Sequence, residues 1–177
     1  MLILVGPSAS GKTQMLKILI EKYGMEKLVT YTTRKMRINE VDGIDYHFIS
    51  KEDFLRKQSD GFFFETVVYN NNYYGTSKND FSKNKAVILE PTGLVKYINE
   101  ANDKIKIVVL TCNKEVLKKR MIMRGDDELS IKKRIETDAT WFNEELSKHA
   151  DLVLDTSFSD LYLVAERVYN FYKKAIN

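Results

Sequence analysis

Short apolar blocks recur along the chain and alternate with stretches whose apolar positions fall three and four residues apart. Met1 to Val5 is apolar throughout and runs into a glycine-bearing turn, after which a helical pattern extends from about Gly11 to Lys22. An unbroken apolar run of strand length suits a strand covered on both faces, as in a parallel sheet. Ala86-Val87-Ile88-Leu89, Ile105 to Leu110 and Leu152-Val153-Leu154 repeat that signal, and Leu161 to Ile176 carries apolar residues at helical spacing. Asn113 is placed to cap a helix running to Arg124, and Ser159 to cap the last helix. Alternating strand and helix signals predict an α/β domain, three layers deep, with a central parallel sheet.

The pattern changes between Thr30 and Ser82. This segment holds five of the ten tyrosines (Tyr31, Tyr46, Tyr69, Tyr73, Tyr74), is rich in Asn, Thr and charge, and has short β-like runs such as Gly61 to Val68. Ser50-Lys51-Glu52-Asp53 has the form of a capping box opening a short helix. The segment reads as an inserted mixed β/α lobe. Gly125 to Ser130 reads as a polar loop between two helices, and repeats and low-complexity tracts are absent from the sequence.

Composition narrows the classes. At 177 residues the chain suits one α/β domain. The net charge of +3 is too small for a general nucleic-acid binder, which directs attention to local clusters of positive charge. Cys112 is the sole cysteine, so an internal disulfide is impossible, and its place at the end of an apolar run reads as a packed thiol. No apolar run approaches the roughly 20 residues of a membrane span, and no signal-peptide pattern opens the chain. A cytoplasmic setting is expected, without membrane or nucleic-acid partners, as a monomer or weak homo-oligomer.

The strongest motif is Gly6-Pro7-Ser8-Ala9-Ser10-Gly11-Lys12-Thr13, which fills every fixed position of the P-loop pattern between a strand and a helix. Its glycines let the backbone wrap so that successive N–H groups converge on phosphate at a helix N-terminus. Gly6, Ser8, Ala9, Ser10, Gly11, Lys12, Thr13 and Gln14 are the expected contacts with ATP. Lys12 is expected to bridge the β- and γ-phosphates, and the Thr13 hydroxyl to hold Mg²⁺. The motif says nothing about the acceptor.

A second constellation runs from Thr32 to Phe48, Thr-Thr-Arg-Lys-Met-Arg-Ile-Asn-Glu-Val-Asp-Gly-Ile-Asp-Tyr-His-Phe. Arg34 and Arg37, with nearby hydroxyls and the phenol of Tyr46, suit a small phosphate dianion, although a solvated basic loop has the same composition. This stretch resembles the signature of the guanylate kinase family at every fixed position. The resemblance continues through Phe64-Glu65, Asn72-Tyr73-Tyr74-Gly75-Thr76 and the arginine-bearing segment from Arg120 to Arg134, so it covers nearly the whole chain.

That resemblance implies transfer of the γ-phosphoryl group of ATP to GMP or dGMP. By position, it implies that Arg34, Arg37, Tyr46 and Tyr74 hold the acceptor phosphate and that Glu65 accepts from guanine N1–H and the 2-amino group. It further implies that Thr76 faces O6 and Thr30 the 2-amino side. Arg120, Arg124 and Arg134 resemble lid arginines, and with Lys12 and Arg34 form the implied catalytic set. The implied division is a core of residues 1–29, 83–119 and 138–177, a GMP-binding lobe of 30–82 and a lid of 120–137.

One departure stands out. Where the family carries an acidic pair after the strand, this chain reads Glu90-Pro91-Thr92-Gly93 and is about two residues shorter. Glu90 can replace the first acid near Mg²⁺, whereas Thr92 is a weak substitute for the second, a base contact. Two rivals stay open at this point: a kinase with another phosphorylated acceptor, and a non-catalytic phosphopeptide-binding module of the same fold. Phosphate-to-phosphate transfer requires no nucleophilic side chain and no general base, because the acceptor's second pKa is near ~6. His47 and His149 are therefore expected to be structural or surface residues.

Overall fold

The computed structural model describes residues 1–38, 40–69, 71–99 and 105–176. Asn39, inside the second constellation, and Asn70, inside the inserted lobe, lie outside the described residues, as does the side chain of Tyr69. Strands β1 (Leu2–Val5), β2 (Glu26–Lys27), β7 (Lys85–Ile88), β8 (Lys106–Thr111) and β9 (Leu152–Asp155) form one sheet in the order β2-β7-β1-β8-β9, with every pairing parallel. Because β1 is central, alternate residues serve opposite cores. Leu2 and Leu4 pack with Met15, Ile18 and Leu19 of α1 (Lys12–Tyr23) and with Val168 and Tyr172 of α7 (Leu161–Ile176). Ile3 and Val5 pack with Val87, Val109, Leu94 and Tyr97 on the other side. Burial of both faces is why these strands are uniformly apolar.

The chain leaves β1 for α1, returns to the sheet as the edge strand β2, and later flanks β1 on one side as β7 and on the other as β8. This reversal of strand order opens a crevice at the carboxyl ends of the strands, where ligands of open α/β sheets bind.

A second sheet contains β3 (Tyr31–Thr32), β4 (His47–Phe48), β5 (Phe63–Tyr69) and β6 (Asn72–Ser77) in the order β4-β3-β6-β5. The β5–β6 hairpin turns through Asn71 at φ 59°, a left-handed angle that Asn tolerates. Its register sets Glu65 opposite Thr76 and Val67 opposite Tyr74, so Glu65, Thr76 and Tyr74 share one face. Helix α2 (Lys51–Ser59) is held on this sheet by Phe54, stacked on Phe63 at 4.5 Å. Ser50 caps it: the Ser50 hydroxyl accepts the Asp53 N–H at 3.0 Å and donates to the Asp53 carboxylate at 2.8 Å.

Helices α3 (Pro91–Asn99), α4 (Lys114–Met123), α5 (Glu128–Trp141) and α6 (Glu144–Lys148) complete the molecule. Asn113 caps α4, with its side chain accepting the Glu115 N–H at 2.8 Å. Two expectations need correction. The polar loop of residues 125–130 ends early, because the Asp127 carboxylate accepts the Ser130 N–H at 2.9 Å and starts α5 at Glu128. The last helix is capped by Asp160 rather than Ser159, since the Asp160 carboxylate accepts from Tyr162 N–H at 2.8 Å and its carbonyl from Val164 N–H at 3.1 Å. Cys112 packs, partly buried, against the cluster of Leu117, Met121 and Ile131. His47 lies against the Tyr31 ring at 4.5 Å, and His149 is exposed near Glu145. Among the described residues no helix is long and apolar enough to cross a membrane.

Candidate active site

The first receptor forms where β1 ends. A Cβ on Gly6 would sit 2.6 Å from the Leu110 carbonyl oxygen and 2.8 Å from the Ser10 hydroxyl, so the loop passes β8 at a distance only glycine permits. The backbone then turns through Ala9 at φ 64° and Gly11 at φ 97°. Lys12, at the first position of α1, folds back and donates to the carbonyls of Gly6 at 2.6 Å and Pro7 at 2.9 Å. Thr13 and Gln14 follow on α1, both exposed.

The loop already holds an oxyanion. Asp138, reaching over from α5, accepts the Ser8 N–H at 2.7 Å. A carboxylate oxygen on a loop amide stands in for a phosphate oxygen, so the residues present fit a phosphate group. Asp138 escaped sequence reasoning because its partner is 130 residues away and α5 displays no pattern pointing to it. Burial lowers the pKa of Lys12, while Glu90 and Asp138 favour its charged form and Arg124 opposes it. Burial pushes the Glu90 carboxyl up, Lys12 draws it back, and Asp138 adds to the rise. Two carboxylates and an ammonium thus share this end of the crevice.

The second receptor grows from β3. Thr32 pairs with Tyr74 across the sheet, and the Thr32 hydroxyl accepts the Arg34 N–H at 3.1 Å, which aims the following loop over Tyr74. The Arg34 guanidinium lies 5.4 Å from the Tyr46 ring and 5.6 Å from that of Phe48, and the Tyr46 and Tyr74 rings are 6.1 Å apart. Arg34, Tyr46 and Tyr74 therefore converge, with the Arg37 side chain exposed beside them. Glu40 holds this clamp: its two oxygens accept from the Arg34 fork at 2.6 and 2.9 Å, and one also takes the Arg37 N–H at 2.8 Å. The pairing keeps Glu40 below the usual carboxylate range and raises Arg34 further. Here too a carboxylate occupies a place suited to phosphate. Sequence reasoning counted Glu40 as a motif position without assigning it this contact.

Glu65 is buried on β5. Its Oε1 accepts the Thr76 hydroxyl at 2.6 Å, whereas its Oε2 has no hydrogen-bond partner. Burial raises its pKa to about 7, against pull from Thr76 and Lys96. An orphaned buried carboxylate oxygen is costly and marks where a donor-bearing ligand fits. A Cβ on Gly93 would sit 3.3 Å from that oxygen, so the first turn of α3 covers it closely. Glu65, Thr92, Gly93 and Lys96 line a cavity of about 340 Å³ there. Thr76 has already given its hydrogen to Glu65 and has none to offer a base carbonyl. Thr30 lies just before β3, and its carbonyl takes the His47 N–H at 2.9 Å.

The three arginines of the α4–α5 segment separate. Arg120 donates to the carbonyls of Thr156 at 2.6 Å and Ala9 at 3.3 Å, binding α4 to the phosphate loop and to the end of β9. Arg124 follows the last residue of α4 and turns to Asp126, which also accepts from Arg134 at 3.1 Å. Arg124, at the helix end, still donates its N–H to the Arg120 carbonyl at 3.2 Å, so the two keep the spacing of one turn while their side chains take different partners.

Comparison with known proteins agrees with this geometry. The family model for guanylate kinase matches residues 1–167. A guanylate kinase of Clostridium perfringens is 38% identical over 134 residues, 72% of this chain and 62% of that protein's length, so the match leaves more than a third of that relative uncovered. A guanylate kinase of Helicobacter pylori is 32% identical over 98% of this chain and 92% of its own length. The crystal structure of guanylate kinase from Anaplasma phagocytophilum superposes with a TM-score of 0.74 over 98% of this chain and 84% of that one, a likeness of fold at 22% identity. With the family's pattern matched over this span, the chain belongs to the guanylate kinase family.

Proposed function

We propose that this protein transfers the γ-phosphoryl group of ATP to GMP or dGMP, yielding ADP and GDP or dGDP. The observation that carries the reading is the buried, unpartnered Glu65 Oε2 near an arginine–tyrosine clamp. Guanine offers N1–H and a 2-amino N–H on one edge, which a carboxylate accepts as a pair. Adenine lacks that pair of donors, so adenine would leave the buried oxygen unsatisfied. The clamp of Arg34, Arg37, Tyr46 and Tyr74 takes the 5′-phosphate, displacing Glu40 from the Arg34 fork.

At the other receptor the donor's phosphates replace Asp138 on the loop amides, and Lys12 moves from the Gly6 and Pro7 carbonyls to the β- and γ-oxygens. An acceptor phosphate oxygen forms the new P–O bond in line as the β–γ bridging bond breaks. Lys12, Arg34 and the arginines of the 120–137 segment neutralise the charge that spreads over the transferring group. Thr13 and Glu90 would hold Mg²⁺, a set suited to an ion that takes one or two carboxylates plus substrate phosphates. That ion supplies Lewis-acid charge on the phosphate oxygens. Closure of the 30–82 lobe and the 120–137 lid over the core excludes water, the competing acceptor.

A coupled ADP-release assay with ATP and magnesium, run across GMP, dGMP, AMP, UMP and dTMP, tests the proposal. Turnover confined to the guanine nucleotides is expected. Equal rates with AMP, or no turnover with any acceptor, would remove it.

A further inference from the structure

Beneath the Glu65–Thr76 pair lies a second buried polar group without a partner. Tyr97 of α3 is fully buried, its ring tilted against Phe64 at 4.7 Å, and its hydroxyl makes no hydrogen bond. Tyr97 follows Gly93 by one turn of α3, and a Cβ on Gly93 would sit 3.3 Å from Glu65 Oε2. Tyr97 therefore shares the helix face turned to Glu65, and Thr76 and Glu65 both act on the ionisation of its hydroxyl. Thr76 has spent its hydrogen on Glu65 Oε1 but keeps free lone pairs, so it is an acceptor next to an orphan donor. Nothing in the sequence marks Tyr97: its helical spacing reads as core, and most of the ring is core.

We infer that Tyr97 is a positioning residue of the mononucleotide site, donating its buried hydroxyl to Thr76 Oγ1 so that the Tyr97–Thr76–Glu65 chain fixes the carboxylate with Oε2 facing the ligand. The inference rests on the proposed role of Glu65 as the base acceptor. It gives that site a directional support: each hydroxyl donates toward the carboxylate, and a chain of donors ending on a charge favours the charged form. The ionised form is the one that can accept from guanine. The other groups facing Glu65 are Lys96 on α3, whose charge also favours the carboxylate, and Gly93. From α2, Gln58 is uncharged and donates to Thr66 at 3.1 Å. The chain also explains how a site whose second acidic position is Thr92 can still hold its one remaining carboxylate in a defined orientation.

Tyr97→Phe keeps the ring and removes the hydroxyl. It should raise KM for GMP about fivefold, the scale of one hydrogen bond, and leave KM for ATP where it was. The rise of kcat/KM for GMP with pH should move to higher pH. In a Thr76→Val background the same change should add almost nothing, because the chain is already cut. Equal rises in both KM values would signal general distortion and overturn the inference, as would additive effects in the double variant. The carboxyl titration of Glu65, followed by ¹³C NMR in ligand-free protein, needs no nucleotide. A higher midpoint in Tyr97→Phe is expected, and an unchanged midpoint overturns the chain even where the wild type phosphorylates GMP. A shifted midpoint in a protein that ignores GMP would instead overturn the base site and keep the chain.

Discussion

The proposed donor receptor between Gly6 and Thr13 presents backbone N–H groups aimed by φ angles, while the proposed acceptor clamp presents guanidinium and phenol groups at the ends of long side chains. Covalent geometry aims the first: glycine at the closest approach to β8, a left-handed turn at Ala9 and Gly11, and the start of α1. The second must be ordered by contacts, since freezing an arginine side chain costs up to about 2 kcal/mol of rotamer entropy. Glu40 meets much of that cost before ligand arrives, because it holds both arms of Arg34 in the geometry a phosphate needs. Each receptor thus rests with a carboxylate in the anion's place, Asp138 in one and Glu40 in the other. The contrast teaches that a backbone cradle needs its one lysine for charge, whereas a side-chain clamp needs a specific planar fork.

The largest effect is expected where charge alone is removed from the cradle. Lys12→Ala should lower kcat by about a thousandfold or more with the fold intact, measured by coupled turnover and thermal unfolding. A loss below tenfold would mean that the loop amides carry the donor site without it. Arg34→Lys tests the clamp with charge kept and fork lost, and KM for GMP should rise about fiftyfold while KM for ATP moves less than about twofold. An equal response of both substrates would erase the distinction between the receptors.

Glu65→Gln should raise KM for GMP about tenfold. It also removes a pH dependence whose sign is fixed by burial. Glu65 titrates at about 7, protonated below and ionised above, and base N–H groups need the ionised form. The wild-type ratio of kcat/KM for GMP to that of the glutamine variant should therefore climb as pH rises through about 7, with the phosphate's own titration cancelling in the ratio. A flat ratio would place the base elsewhere. The smallest effect concerns the resident anion of the cradle: Asp138→Asn should lower KM for ATP about threefold, since a weaker acceptor competes for Ser8 N–H. A higher KM would show Asp138 assisting the donor rather than yielding to it.

Much of this was legible along the chain because its causes are local. The loop from Gly6 to Thr13 depends on residues covalently joined to one another, and the strands needed only uniform apolarity to be recognised. Arg34, Tyr46, Glu65, Tyr74 and Thr76 were identified through a resemblance over a long motif, which names positions but not their partners. The cap at Asp160 was displaced by a single residue from the expected Ser159, an error natural where two capping residues adjoin and only geometry selects between them. Arg120 and Arg124 keep their helical spacing, and only packing decided that their side chains take different partners.

The sequence by itself therefore determined the parallel core and the glycine-bearing loop between β1 and α1, since each follows from neighbours within a strand or a turn, and resemblance supplied the residues proposed to hold the acceptor. Only the tertiary structure decided that Asp138 rests on Ser8, that Arg120 donates to the Ala9 and Thr156 carbonyls, and that the Tyr97 hydroxyl is buried without a partner. The reason is physical: a hydrogen bond is decided by ångströms and angles, and residues far apart in the chain acquire those only after the packing of strands and helices has placed them.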